Sequence, residues 1–259
     1  MEYAIFASKV EHLKYCDDNF SRLYFGNEFC QYLLPTVLDM EHVLDFARSL
    51  NFTLVTPYVT DEGLAALKSV LDLVSQRKSE SEVVFNDWGV LSILRDQYPS
   101  LEPVMGRLLN KMKRGPRLVT VLNGMTEDSI EYFRSSNLSV PLFRRFLLDN
   151  RVRRAEFDNV FQGIAFDFGE MELSLYMPFA YVTTTRACLV NACDIPEKRD
   201  LVGIFPCQQE CQKYTFYLES EVMPVTLVRR GNTVFFRNEE IPQGFGRVSR
   251  VVIEPEIPM

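Results

Sequence analysis

Residues 52–97 read FTLVTPYVTDEGLAALKSVLDLVSQRKSESEVVFNDWGVLSILRDQ. Two short runs rich in β-branched and aromatic residues, Phe52–Val59 and Glu82–Asp87, each precede a stretch with helical periodicity. In the first such stretch Leu64, Leu67, Val70, Leu71 and Val74 fall on one face, and Thr60 or Asp61 is placed to cap its start. Trp88–Gln97 repeats the pattern after the polar pair Asn86-Asp87. Strands that alternate with helices lie parallel, because the return path of each crossover is the helix itself.

The same alternation extends outward. Tyr3–Ala7 and Arg22–Gly26 are predicted strands, and Glu41–Leu50 is a helix with Val43, Leu44, Phe46, Ala47 and Leu50 along one face. On the far side, Pro103–Leu109, Arg154–Asn159 and Leu173–Phe179 are predicted strands. Between them stand helices capped by Thr126 and begun by Pro141. Met223–Arg237 forms a hairpin around Arg-Gly-Asn, and Arg247–Glu254 is a last strand. About eight strands in this order predict a TIM-type (β/α)8 barrel. An open doubly wound sheet is the alternative, but no glycine-rich phosphate loop follows the first strand. One domain, 1–259, is expected, with a cysteine-rich loop at 183–213 and a C-terminal β extension at 222–259.

The chain has 47 % hydrophobic residues, enough for a large core, and a net charge of −7, which argues against a surface that coats nucleic acid. No apolar run approaches the roughly 18 residues of a membrane span. Met1–Val10 lacks the basic start and apolar core of a secretory signal, so a cytoplasmic protein without disulfides is expected. His12 and His42 are the only histidines, which disfavours chemistry that needs several.

Four of the six cysteines are spaced C-x4-C-x13-C-x3-C at Cys188, Cys193, Cys207 and Cys211. Their polar loop contains Pro196 and Pro206 and is a poor setting for cysteines as core residues. Gathered thiolates select zinc or an iron–sulfur cluster. Structural zinc sites favour C-x2-C knuckles, whereas cluster ligands are less regular and often include one from elsewhere in the chain. Cys30, just beyond the second strand, is placed to join the set, and Cys16 is read as a bystander.

In a barrel of this kind chemistry sits where strands end. Those positions hold Asn27, Glu28 and Cys30, then Thr56 and Tyr58, Asn86 and Asp87, Arg107 and Asn110, Asp158 and Asn159, and Thr185, Arg186 and Cys188. From these, Asn86, Asp87, Arg107, Asn110, Asp158 and Arg186 are candidate substrate-binding residues, and Asp87, Arg107 and Asp158 are candidates for catalysis. Asp87 has the competing role of a helix cap. Arg107, inside the apolar run PVMGRLL, requires a polar cavity or a carboxylate partner, and Asp158 is the candidate partner. Lys111, Lys113, Arg114 and Arg117, with Arg144, Arg145, Arg151, Arg153 and Arg154, are candidates for one basic face toward RNA, against a simple solvated surface.

YFGNEFC at Tyr24–Cys30, VVFNDWGVL at Val83–Leu91, GRLLNK at Gly106–Lys111 and CQQECQKY at Cys207–Tyr214 together resemble the collagenase-like peptidase family U thirty-two. Within it they are most similar to the UbiV-like branch of oxygen-independent ubiquinone biosynthesis proteins. The likeness runs from about Tyr24 to Tyr214. It implies a barrel-like α/β fold and a 4Fe-4S cluster on Cys30, Cys207, Cys211 and either Cys188 or Cys193. It also implies a companion protein. The glutamate of the branch's first motif is Asn27 here, with Glu28 one place later.

The function expected is an iron–sulfur protein taking part in an oxygen-independent hydroxylation or related modification of a small aromatic or RNA-derived substrate. The alternatives are a non-catalytic scaffold with a structural metal site, zinc included, and a peptidase. The last is disfavoured because no Ser-His-Asp or Cys-His arrangement assembles from the sequence, and neither histidine is expected at a pocket-facing strand end.

Overall fold

The fold is taken from a computed structural model, which describes residues 1–198, 205–241 and 248–259. The centre of the cysteine loop, 199–204, and Arg247 of the expected last strand lie outside the described residues. In chain order come β1 (Glu2–Ala7), β2 (Arg22–Gly26), α1 (Val37–Phe46), β3 (Asn51–Val55), α2 (Asp61–Arg77), β4 (Glu82–Phe85), α3 (Trp88–Gln97) and β5 (Glu102–Met105). Next are α4 (Leu118–Leu122), α5 (Glu127–Arg134), α6 (Pro141–Asp149), β6 (Arg154–Asp158) and β7 (Glu172–Met177). Then follow β8 (Phe179–Thr184), β9 (Phe216–Leu218), β10 (Leu227–Arg230), β11 (Thr233–Arg237) and β12 (Val248–Ile253).

Strands β1 to β7 and β12 pair in parallel around a closed ring, β1-β12-β7-β6-β5-β4-β3-β2. This is the TIM-type barrel that the strand–helix alternation predicts. The antiparallel sheet β8-β11-β10-β9 is inserted between the seventh and eighth staves. The stretch 222–259, expected as an extension, therefore divides between the two sheets: its hairpin is β10–β11, and β12 closes the barrel against β1. Leu173–Phe179, expected as one strand, divides at Pro178, which has no N–H to give to a ladder.

Three boundaries differ from the sequence expectation for local reasons. Helix α1 begins at Val37 because Thr36 and Asp39 form a reciprocal capping box. Strand β3 stops at Val55, two residues before Pro57. Strand β5 stops at Met105, so Arg107 lies in the turn beyond the strand. Residues 159–171, between β6 and β7, contain no helix; Val160, Ile164, Phe168 and Met171 of that segment pack on the core instead.

Alternate side chains of each stave face inward. The Tyr24 hydroxyl donates to Glu156 at 3.1 Å, from β2 to β6, and Arg250 Nη1 donates to Glu82 Oε2 at 2.5 Å, from β12 to β4. Each pair comes from opposite sides of the ring, so these bonds cross the lumen. The lumen holds this polar belt together with Ala4, Phe6, Val84, Val104, Tyr176 and Val252, while the larger apolar core lies between barrel and helices.

Candidate functional site

At the C-terminal end of β2, Gly26 has φ +132°, and a Cβ there would stand 2.2 Å from the carbonyl oxygen of Val55. Only glycine allows that approach. Asn27 Oδ1 then accepts from the backbone N–H of Phe29 and of Cys30, both at 2.9 Å, and this turn carries Cys30 to the mouth. Cys188 follows β8, and Cys207 and Cys211 precede β9. All four thiols line one cavity of about 800 Å³, with Tyr58, Arg186, Asn232 and Met259 among the other walls.

Three residues the sequence did not single out fasten these segments. The Asn232 amide donates to Phe29 O at 2.7 Å and to Thr185 O at 2.6 Å, joining the Cys30 turn to the strand end before Cys188. The buried Glu210 carboxylate accepts from Ala192 N at 2.8 Å and Gln208 N at 3.2 Å, joining the Cys207–Cys211 turn to the Cys188 loop. Gly231, at φ +57°, lies so close that a Cβ would be 2.6 Å from Met259 Cε and 3.0 Å from Cys211 Cβ. Their sequence signals, an isolated Asn after Gly and a Glu between two cysteines, are too common to identify without the fold.

Burial pushes the Cys30 thiol up to about 11, opposed by the Tyr32 N–H and reinforced by Cys211, Cys207 and Cys188. Burial also raises Cys188 and Cys211, and each has other thiols of the set among its further causes. Cys30, Cys188 and Cys211, partly or fully buried and each raised further by neighbouring thiols, favour a cationic partner, whose binding displaces their protons. Among the described residues no group of three or more His, Cys, Asp or Glu side chains is drawn together as around a single metal ion. Cys193 is exposed, is not part of the cavity wall, and has Asp194 and Glu210 as its nearest charged influences. Cys16 packs against the main core.

Arg107 is fully buried among carboxylates. Its guanidinium donates to Glu28 Oε2 at 2.5 and 2.9 Å, Glu254 Oε1 at 2.7 Å and Asp158 Oδ1 at 3.2 Å, and lies 3.8 Å from the Tyr176 ring centroid. Arg114 Nε donates to the other Asp158 oxygen at 2.6 Å. The contact expected between Arg107 and Asp158 is present, and Glu254, at the end of β12, completes it. Burial raises Glu254 to about 8, more than Arg107 lowers it. Protonated Glu254 leaves two guanidinium groups facing two carboxylates, a balance that a buried site requires.

Arg107, Asn110 and Asp158 have no exposed surface and line neither cavity described here. Expected at the substrate site, Arg107 and Asp158 are engaged with each other, as the sequence anticipated, and with Glu28, Glu254 and Arg114, while Asn110 donates to Glu156 O. Asp87 caps α3, accepting from Gly89 N at 2.7 Å. Asn86 bonds the Leu108 N–H at 3.0 Å and the Thr56 carbonyl at 2.8 Å, yet also borders a second cavity. Arg186 is exposed, lines the cysteine cavity and stands 5.3 Å from the Tyr58 ring centroid.

That second cavity, about 820 Å³, shares Tyr58 with the first and includes Leu108, Lys111, Met112, Lys113, Arg114, Tyr132 and Tyr181. Of the basic residues expected on one face, Lys111, Lys113 and Arg114 line this cavity, whereas Arg117, Arg144, Arg145, Arg151, Arg153 and Arg154 do not. Arg154 joins Glu172 and Ser174 at the other end of β6, Arg144 donates to Leu138 O and Asp167 O, and Arg151 donates to Pro99 O.

A serine, a histidine and a carboxylate do meet, contrary to the sequence expectation. Ser8 Oγ lies 3.4 Å from His12 Nδ1, and His12 Nε2 lies 3.4 Å from Glu256. Ser8 immediately follows β1, and the partner Glu256 lies 248 positions after it in the chain, beyond the reach of local patterns. None of the three lines either cavity.

No protein-family model matches this chain, and no curated protein matches it. A solved structure of YKL-39 in the presence of chitooligosaccharides is similar at a TM-score of 0.37 and 7% identity, over 98% of this chain and 92% of that one.

Proposed function

We propose that Cys30, Cys188, Cys207 and Cys211 hold a 4Fe-4S cluster. In this reading the protein serves, with a companion protein, an oxygen-independent hydroxylation or related modification of a small aromatic or RNA-derived substrate. The observation that carries the cluster is the convergence of four cysteines from three chain segments on one cavity. An all-sulfur donor set is the choice of soft metal centres. A single zinc, with Zn–S bonds of about 2.3 Å, gathers its sulfurs within roughly 3.8 Å of one another. A cubane takes one ligand at each of its four iron corners and spreads them across a wider opening. Four cysteines on one cavity supply one ligand for each iron. Cys188 is preferred to Cys193 because it borders that cavity.

When bound, such a cluster supplies one-electron transfer. The chain's own contribution is to orient the four sulfurs, through Asn27, Glu210 and Asn232, and to surround them with Phe29, Phe235 and Met259. The hydroxylation role and the companion protein rest on the resemblance of YFGNEFC, VVFNDWGVL, GRLLNK and CQQECQKY to the U thirty-two family.

Anaerobic purification with iron and sulfide quantitation tests the cluster. About four of each per chain, with absorbance near 400 nm, are expected. Cys30→Ala, Cys188→Ala, Cys207→Ala and Cys211→Ala should lose them, while Cys193→Ala and Cys16→Ala should not. Stoichiometric zinc without iron would overturn the reading.

A further inference from the structure

The second cavity has no part in holding the cysteines. We infer that it binds a small aromatic anion, a carboxylate or phosphate carried on a flat ring, with Tyr58 as the partition between that ligand and the cysteine cavity. The binding stands by itself, and its placement beside a cluster rests on the preceding reading.

The cavity, at about 820 Å³, has the size of a small-molecule site. Its charged wall is Lys111, Lys113 and Arg114, with no Asp or Glu among the described lining residues. In a protein of net charge −7 such a local excess of positive charge selects anions against the overall field. The charge on offer is that of the lysines. Arg114 is committed to Asp158 and to the carbonyls of Arg107 and Asn110, whereas Lys111 gives one bond to Leu108 O and Lys113 forms no ion pair among the described residues.

The remaining wall suits a ring. Tyr181, its hydroxyl tied to Arg107 O at 3.0 Å and its ring packed between the Arg114 guanidinium and Phe29, is a fixed part of the wall, and Tyr58, Tyr132, Leu108 and Met112 supply the aromatic and apolar surface. Arg151 and Arg154 are bonded to Pro99 O and Ser174 and line no part of this cavity, so its basic wall is confined to Lys111, Lys113 and Arg114, a span suited to a small molecule.

Titration of the anaerobically purified protein with 1-naphthoate, 1-naphthyl phosphate and the neutral 1-naphthalenemethanol, followed by ligand fluorescence, tests this. At least one anion should bind at one site about tenfold tighter than the alcohol, and the better one tells carboxylate from phosphate. Lys111→Ala/Lys113→Ala, both on exposed side chains, should remove that preference and leave binding of the alcohol unchanged. Binding should survive in Cys30→Ala, so loss of the cluster reading leaves this one standing. Equal affinity for alcohol and anions, insensitivity to the double variant, or saturable binding only by an RNA oligonucleotide would overturn it.

Discussion

The side-chain amide of Asn232 donates to the backbone carbonyl of Phe29 at 2.7 Å, next to Cys30, although the two residues lie in different sheets' loops. Because the same amide reaches Thr185 O at 2.6 Å, one buried side chain registers two of the thiol-bearing segments. Asn232→Ala leaves both carbonyls without this donor, at a cost of about 1–3 kcal/mol. Lower iron per chain and a lower Tm are expected together. Full iron loading with an unchanged Tm would show that the segments are held without it.

Arg107 is the second point of tension. Its removal leaves Glu28 and Asp158 buried with less positive charge to balance them, although Arg114 still reaches Asp158. Breaking a buried pair from one side costs about 3–5 kcal/mol. Arg107→Ala should therefore unfold at markedly lower urea, and Arg107→Lys should recover only part, since an ammonium cannot reach Glu28, Asp158 and Glu254 as the forked guanidinium does. If Arg107→Ala changed ligand affinity at unchanged stability, Arg107 would be a contact residue and not a brace.

Glu254, pushed up to about 8 by burial, gives a stability term with a definite sign. Its carboxyl has the ordinary range when unfolded and holds its proton to higher pH when folded. Between about pH 4.5 and 8 the native state therefore binds more protons, and stability from this group falls as pH rises, by up to about 1.4 kcal/mol per pH unit. Glu156, raised to about 7 mainly by burial, acts in the same direction up to that pH. Glu254→Gln keeps an oxygen for Arg107 and removes the titration. Urea unfolding across pH 5–8 should show a shallower decline in the variant, and an identical slope would mean that Glu254 is ionised throughout.

The alternation seen in residues 52–97 and continued along the chain predicted the barrel, because strand and helix periods are local properties of the chain. Arg107 was legible as an anomaly for a similar reason: a charge in an apolar run demands a partner, and Asp158 is in contact with it. Glu254 was not, since it lies 147 positions from Arg107 and looks like the polar end of an ordinary strand. The closing role of β12 was hidden by the inserted sheet, which makes the eighth stave resemble a tail. Asn232 and Glu210 matter through bonds to backbone carbonyls and amides in other loops, and no residue pattern records such bonds.

Gly231 separates crowding at the cysteine cavity from a general loss of fold. It sits in the β10–β11 turn at φ +57°, where a residue with Cβ is strained by about 1–2 kcal/mol. An added methyl would also meet Cys211 Cβ at 3.0 Å and Met259 Cε at 2.6 Å. The methionine end is flexible and moves aside, whereas Cys211 is fixed by the turn from Glu210, so the displacement falls on the sulfur-bearing residue. Gly231→Ala should thus lose iron to a degree that its modest change in Tm does not explain. Gly115→Ala, where a Cβ meets nothing within 4 Å, serves as the control and should keep both. Equal iron content in the two variants would place Cys211 outside the metal site.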